Sequence, residues 1–134
     1  MSTQDVQTIR GTYEAFARQD IPALLDAFQP DIVWSDPDSL PFGGTYTGHE
    51  EVLTFFQKLP EHWRELQVTP DEFVDGGDTI VVVGHHHGVA AKGTFDGGFV
   101  HVWRMRDGKA ASFEEYTDTA RALEALGTPV AAAR

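Results

Sequence analysis

A carboxylate ends an apolar stripe in the stretch DIVWSDP, residues 31–37. The alternation of Ile32 and Trp34 predicts a strand with these side chains on the core face, and Asp36 continues that face. A buried polar atom without a partner costs about 1–3 kcal/mol and an unpaired charge costs more, so stability alone would favour Leu or Val here. A carboxyl group held away from water has a raised pKa and can act as a general base near neutral pH. Asp36 is therefore the first candidate catalytic residue.

Other polar side chains also fall at positions predicted to face the core. Tyr13 lies on the apolar stripe of an amphipathic helix, and His86, His101 and Glu115 lie on the inward faces of predicted strands. Removing a proton next to a carbonyl needs a base close to the carbon and a donor aimed at the oxygen that gains charge. Asp36, Tyr13 and His101 can supply these roles. Each also has a structural interpretation, as a turn-forming Asp, a Tyr that satisfies a buried carbonyl, or a core His.

The elements that must position these side chains begin with helices. Apolar residues recur at steps of three and four, and turn and capping residues precede or follow each run. These signals predict helices at residues 4–18, from Asp20 and Pro22 to before Pro30, at about 48–59 after the capping-box stretch TGHE, and from Asp118 to Gly127.

From residue 65 the pattern becomes β-rich, and glycine-containing turn sequences separate the runs TIVVV, FVHVW and ASFEEYT. Helices first and an antiparallel meander afterwards predict an α+β fold: a cone-shaped barrel of a strongly curved, mainly antiparallel sheet over three N-terminal helices, with a short C-terminal helix. If Lys92 and Gly93 are the central residues of a tight hairpin, three pairs share the inward face. These are Gly84 with His101, His86 with Phe99, and Val82 with Trp103.

A bent sheet over helices leaves a conical hole, and the predicted inward residues would line it. The acid and base candidates are Asp36, His101 and Tyr13. The residues predicted to bind the substrate are Trp34, Phe42, Phe55, Phe56, Leu59, Trp63, His86, Phe99, Trp103, Phe113 and Glu115. Generic aromatic and aliphatic walls select for size and apolarity, so the sequence does not name the substrate.

The run His85-His86-His87 raises the question of a metal site, because His85 and His87 share a face and imidazole suits zinc or iron. That face is predicted to point away from His101 and Asp36. We therefore expect no metal and no cofactor, and a solvated or dimer-facing strand explains the pair more simply.

Composition excludes several classes of partner. The formal charge is -11, from 21 acidic against 10 basic residues, so the chain repels nucleic-acid phosphates and anionic lipid. There is no cysteine, hence no disulfide framework or thiolate site. The N-terminus has no apolar signal-peptide core, and no run approaches a membrane helix, so a cytoplasmic location is expected. We expect one domain over residues 1–127 and a flexible tail over 128–134.

Residues 5–118 resemble the ketosteroid isomerase and SnoaL-like group of the nuclear transport factor two-like superfamily. The ordered stretches that carry the resemblance are YEAFARQD, IVWSDP, PFGGTYTGHEEV followed by FF, and HVWRMRDGKAASFEEYTDT. The resemblance implies a cone-shaped α+β barrel with a solvent-accessible pocket and a homodimer formed through the outer sheet face.

The resemblance also implies roles for particular residues. In the isomerases of this group the carboxylate at the position of Asp36 is the general base, and the residue at the position of Tyr13 donates to the oxyanion. The second oxyanion donor, a protonated carboxylic acid, falls at His101, which is a departure from the isomerase pattern. SnoaL-like cyclases close rings by an intramolecular aldol reaction without cofactor or metal, and Glu115 is an alternative acid/base for that chemistry.

The sequence therefore predicts a cofactor-independent isomerase or cyclase, with Asp36 as general base, acting on a small apolar molecule that carries a carbonyl or hydroxyl. One alternative is a non-catalytic small-molecule-binding domain. Another is a hydrolase like the limonene epoxide hydrolases, which need an Asp-Arg-Asp arrangement, whereas Arg104 and Arg106 are predicted to point outward. A third, weaker alternative is a structural dimer module, which predicts a cone without a free cavity.

Overall fold

The structure is a computed structural model that describes residues 2–127, with side chains from residue 4 onward. The predicted tail over residues 128–134 lies outside the described residues. The helices are α1 (Ser2–Ala17), α2 (Ile21–Asp26), α3 (Gly48–His62) and α4 (Thr119–Leu126). The strands are β1 (Phe28–Asp36), β2 (Gly44–Thr47), β3 (Glu65–Asp75), β4 (Thr79–Ala90), β5 (Gly93–Arg106) and β6 (Lys109–Thr117).

The six strands form one mixed sheet in the order β2-β1-β6-β5-β4-β3. All neighbouring pairs are antiparallel except β1 with β6, which run parallel. The sheet is curled but not closed, and helices pack against its concave face. This arrangement confirms the predicted α+β class. Within the described residues, no helix combines the length and apolarity needed to cross a bilayer.

Two helix starts show how local signals act. The Asp20 side chain accepts from the backbone N–H of Ala23 at 3.1 Å and caps α2, as Asp does at an N-cap. The predicted capping box at α3 is wrong in detail, because the Thr47 side chain makes no capping bond. Instead the backbone N–H of Thr47 donates to Glu51 at 2.8 Å, one residue beyond Glu50.

Helix α3 also continues past its predicted end at residue 59. Pro60 lies inside it, and the backbone N–H of Trp63 still closes on the carbonyl of Leu59 at 2.9 Å. The added turn leads to Trp63, whose side chain is buried, and this apolar burial offsets the one hydrogen bond that Pro60 removes.

The predicted register of the β4–β5 hairpin is wrong by two residues. Ala90 pairs with Gly93, so the turn consists of Ala91 and Lys92 rather than Lys92 and Gly93. Gly93 has φ +154°, a conformation that L side chains rarely adopt, and it takes the first paired position after the turn. The actual pairs are Gly84 with Phe99, His86 with Gly97, and Val82 with His101. Because side chains alternate with a period of two, this slip leaves every side chain on its predicted face.

Gly84 has a packing role beneath the concave face. A Cβ at this position would lie 2.2 Å from the carbonyl oxygen of Thr69 and 2.5 Å from the ring of Phe99. The missing side chain therefore lets Phe99 lie flat, where its ring stacks on His101 with centroids 3.9 Å apart.

Replacing Gly84 by Ala is expected to lower the free energy of unfolding by about 1–3 kcal/mol, because the backbone of β3 cannot give way to the new methyl group. Urea unfolding followed by tryptophan fluorescence measures the change. Gly98→Ala is the matched control, since its Cβ would meet nothing closer than 3.7 Å. Equal stability of the two variants would contradict the packing role of Gly84.

Candidate functional site

A cavity opens between the concave face of the sheet and helices α1 and α3. Its volume, measured for the centre of a water-sized sphere, is about 90 Å³, several times what one water needs. Every residue predicted for the site lines it except Phe99. The open cavity argues against the purely structural dimer module, which predicts a filled cone.

Asp36 lies at the end of β1 and is buried, with 7% of its surface exposed. Its Oδ2 accepts from the indole N–H of Trp34 at 2.7 Å. The Trp34 ring is held by Phe113, which stacks on it with centroids 3.8 Å apart. The strand alternation seen in the sequence therefore places the carboxyl group inside the cone, as predicted.

Glu115 is the centre of the polar cluster. Its Oε2 lies 2.7 Å from Nε2 of His101 and 3.1 Å from Nε2 of His86. Asp36 lies close enough to Glu115 for the two carboxyl groups to shift each other's pKa. Pairing of β5 with β6 sets His101 directly opposite Glu115, and pairing with β4 brings His86 alongside. Two carboxyl groups and two imidazoles thus meet in one dry corner of the cavity.

Tyr13 extends this chain of hydrogen bonds into helix α1. Its hydroxyl lies 2.7 Å from Nδ1 of His101 and accepts from the indole N–H of Trp103 at 3.0 Å. When Nε2 of His101 donates to Glu115, Nδ1 is the acceptor, so Tyr13 donates to it. Among the described residues, no buried side-chain nitrogen or oxygen lacks a partner. The hydroxyl that the resemblance assigns to an oxyanion is thus already committed to His101.

The pKa values of the two carboxyl groups are shifted in opposite directions. Burial raises the pKa of Asp36 well above its ordinary value, and the charge of Glu115 raises it further. Burial also opposes ionisation of Glu115, but hydrogen bonds from His101 and His86 outweigh it and hold the pKa of Glu115 well below its usual range. The two shifts are opposite in direction, so Asp36 keeps its proton to a higher pH than Glu115 does.

His101 and Tyr13 both favour their neutral forms. Burial lowers the pKa of His101, and the nearby Glu115 opposes this shift without reversing it. Burial likewise raises the pKa of Tyr13, so its phenol keeps its proton. The neutral imidazole agrees with the hydrogen-bond pattern, in which one ring nitrogen donates and the other accepts.

Phe99 is the one predicted wall residue that the structure corrects. It is buried at 2% exposure and faces inward, but it lies behind His101 and does not reach the cavity. Alternation along the strand correctly predicts which face Phe99 lies on. Whether its side chain reaches the cavity depends on the neighbouring ring that covers it.

Several lining residues were not predicted as part of the site. Phe95 shares the parity of His101 on β5, and Thr117 shares that of Glu115 on β6, so the period of two could have identified both. No local signal marks Leu40 or Ala122, which line the cavity only because a loop and α4 close over it. The full set of additional lining residues is Thr12, Phe16, Leu24, Leu40, Leu66, Val68, Phe95, Thr117 and Ala122.

The outward groups lie where the sequence placed them. His85 and His87 pair with Asp71 at 2.8 Å and with Asp96 at 2.7 Å, on the face opposite the cavity. Arg104 and Arg106 are exposed and bind Glu114 and Asp31. No arginine or lysine of the described residues lines the cavity, so the Asp-Arg-Asp arrangement of the epoxide hydrolases is not formed.

Comparison with known proteins identifies relatives over nearly the whole chain. A family model described as a SnoaL-like domain matches residues 9–113. An uncharacterized PhzA/B-like protein of Pseudomonas aeruginosa is 30% identical over 121 residues, covering 86% of this chain and 84% of the relative. An NTF2-like protein of unknown function from Burkholderia pseudomallei has a TM-score of 0.88 at 41% identity, covering 92% of this chain and 97% of that one. TerC co-crystallised with polyporic acid has a TM-score of 0.88 at 32% identity, covering 93% and 99%.

Proposed function

Because the chain belongs to the SnoaL-like domain family, we propose that it is a cofactor-independent enzyme of isomerase or cyclase type. The family has the NTF2-like fold and includes isomerases and cyclases. The substrate is a small, mainly apolar molecule with a carbonyl group. The observation that carries the proposal is the buried pair of Asp36 and Glu115 inside an aromatic cavity, with the pKa of the first raised and that of the second lowered. In the proposed resting state this pair holds one proton.

A carboxyl pair with one proton can act as acid and base at once. Glu115 takes a proton from carbon next to the carbonyl, while Asp36 gives its proton to the carbonyl oxygen, and the pair then exchanges roles to return a proton elsewhere. Such a cycle leaves the net proton count unchanged, as an isomerisation or an aldol closure requires. Asp36 is thus an acid at rest and a base only after it has given its proton away.

His101 and Tyr13 act through Glu115 in this scheme. Both ring nitrogens of His101 are occupied, so it orients Glu115 and stabilises its charge, and Tyr13 holds the ring in the tautomer that donates to Glu115. The walls supply desolvation: Trp34, Phe113 and their neighbours exclude water from the pair.

The proposal is tested by proton exchange. A small apolar ketone is incubated with the protein in deuterium oxide, and deuterium at the carbon next to the carbonyl is followed by NMR. In parallel, a β,γ-unsaturated cyclic ketone is followed by ultraviolet absorbance for conversion to its conjugated isomer. The protein should accelerate at least one of these reactions over buffer.

The leading alternative is a non-catalytic binding domain, which the same open cavity supports. Trp34 and Trp63 line the cavity, so a bound ligand should change the tryptophan fluorescence. Polyporic acid, with which TerC was crystallised, is a suitable probe. Binding of the probes without acceleration of either reaction would favour the binding domain.

The outer face of the sheet supports a homodimer. Val83 pairs with Val100, and Val100 pairs with Tyr116, so three outward side chains with 38%, 37% and 56% exposure form an apolar band across β4, β5 and β6. Burying this band in a second copy removes apolar surface from water. A cytoplasmic location stays a prediction from the sequence.

Val100→Asp is expected to convert the dimer to a monomer, because it places a charge at the centre of the band. Size-exclusion chromatography with light scattering measures the mass. Gln7→Asp, which adds the same charge to the exposed face of α1, should stay dimeric. A Val100→Asp protein with the wild-type dimer mass would contradict this interface.

A further inference from the structure

Three side chains of the cavity are of types that bind metal ions and lie close together. His86, His101 and Glu115 each offer one ligand-type atom, and these three atoms lie within 4.8 Å of one another. The first two residues are buried and the third is nearly so. Two imidazole nitrogens and one carboxylate oxygen are ligands that zinc and related divalent ions accept.

Two of the three ligand-atom distances lie near those of a metal centre, and the three atoms together span no more than 4.8 Å. Zinc bonds of about 2.0–2.1 Å place tetrahedral ligand atoms about 3.4 Å apart. Nε2 of His86 and Oε2 of Glu115 lie 3.1 Å apart, near this value. Nε2 of His101 and the same oxygen lie 2.7 Å apart, so this pair must open by roughly 0.7 Å to admit the ion. A carboxylate that rotates about its own side chain can supply that movement.

The groups around the three ligands suit the same task. A His that binds a metal through one ring nitrogen needs a partner for the other. Metal binding at Nε2 of His101 requires the other tautomer of the ring, in which Nδ1 carries the proton and donates to the Tyr13 hydroxyl at 2.7 Å. The Oγ1 of Thr117 lies 3.4 Å from Nδ1 of His86. Asp36 and Glu115 line the same cavity. The fields of these carboxyl groups and of a chain with net charge -11 attract cations.

We propose that His86, His101 and Glu115 form a binding site for a divalent transition-metal ion of the zinc type, open to the cavity. This goes beyond the proposed function, because the ion and the hydrogen bonds of the acid/base cluster compete for the same Glu115 oxygen. The site therefore binds the metal as an inhibitor of proton transfer. This site does not include His85 and His87, the pair that the sequence analysis considered as metal ligands.

Cobalt is the probe, because Co²⁺ in a tetrahedral protein site absorbs visible light. The full-length protein, without an affinity tag and treated with a chelator, is titrated with cobalt chloride and then with zinc chloride. One equivalent of Co²⁺ should produce a visible band that zinc abolishes. His86→Asn and Glu115→Gln should each weaken cobalt binding by at least about tenfold, with the far-ultraviolet circular dichroism spectrum unchanged.

The double variant His85→Asn and His87→Asn is the matched control, because it removes the neighbouring imidazoles from the opposite face of the same strand. It should bind cobalt like the wild type. The proposal is overturned by a wild type without a visible band, by loss of the band in the control, or by equal binding in all variants. Since no substrate is used, these outcomes are independent of the proton-exchange assay, which is run with a chelator present.

Discussion

Replacing Asp36 by Asn is expected to lower turnover of the ketone probes by roughly a hundred- to ten-thousand-fold, the usual contribution of a positioned acid or base. Asn cannot give or take a proton at this position. The binding of the same probes should change little. Proton exchange and isomerisation rates measure the loss, and tryptophan fluorescence measures the affinity.

The fold should tolerate this change because Asn reproduces the hydrogen bonds of a protonated Asp. Its amide oxygen can accept from Trp34, and its amide N–H can donate to the neighbouring Glu115. Asp38→Asn is the matched control, since Asp38 is exposed two residues further on. A protein that binds its ligand and keeps full turnover with Asn at position 36 would exclude Asp36 from the chemistry.

The pH dependence follows from the same pair. The active form holds one proton, so kcat/KM should fall as the pH rises through the raised pKa of Asp36. It should fall on the acid side only as the pH drops through the pKa of Glu115, well below its ordinary value of 4.5.

Replacing Glu115 by Ala is expected to lower the free energy of unfolding by about 3 kcal/mol at neutral pH, because His86, His101 and Asp36 all lose their shared acceptor in a dry site. Water that enters the cavity can form hydrogen bonds to some of these groups. The expected loss of stability is therefore smaller than the sum of the costs of three unpaired buried groups. Urea unfolding at a fixed protein concentration measures it.

The adjacent Glu114 provides the control. It faces outward and pairs with Arg104 on the sheet surface, so Glu114→Ala should cost less than about 1 kcal/mol. The folded-state pKa of Glu115 lies below its unfolded value, so its contribution is complete above pH 4.5 and is lost as the pH falls through the lowered value. Equal effects of the two variants, or an effect of Glu115→Ala that does not decline in acid, would contradict the buried cluster.

The cluster shows how far alternation along a strand can predict a site. The sequence placed Asp36, His86, His101 and Glu115 on inward faces, and all four line the cavity. The predicted faces are correct although the register of the β4–β5 hairpin is wrong by two residues, because a shift of two leaves each side chain on the same face of the sheet. The prediction that Phe99 lines the cavity is wrong, because the ring of His101 lies between Phe99 and the cavity.

The amino-acid sequence by itself determined the order of the elements, the faces of their side chains and the family to which the chain belongs, since these depend on short-range periodicity and ordered motifs. Only the tertiary structure decided how the polar groups share their protons. Burial and the closeness of Glu115 raise the pKa of Asp36, while hydrogen bonds from His101 and His86 lower the pKa of Glu115. These effects act across strands far apart in the chain and depend on distances of a few ångströms, which no local pattern encodes.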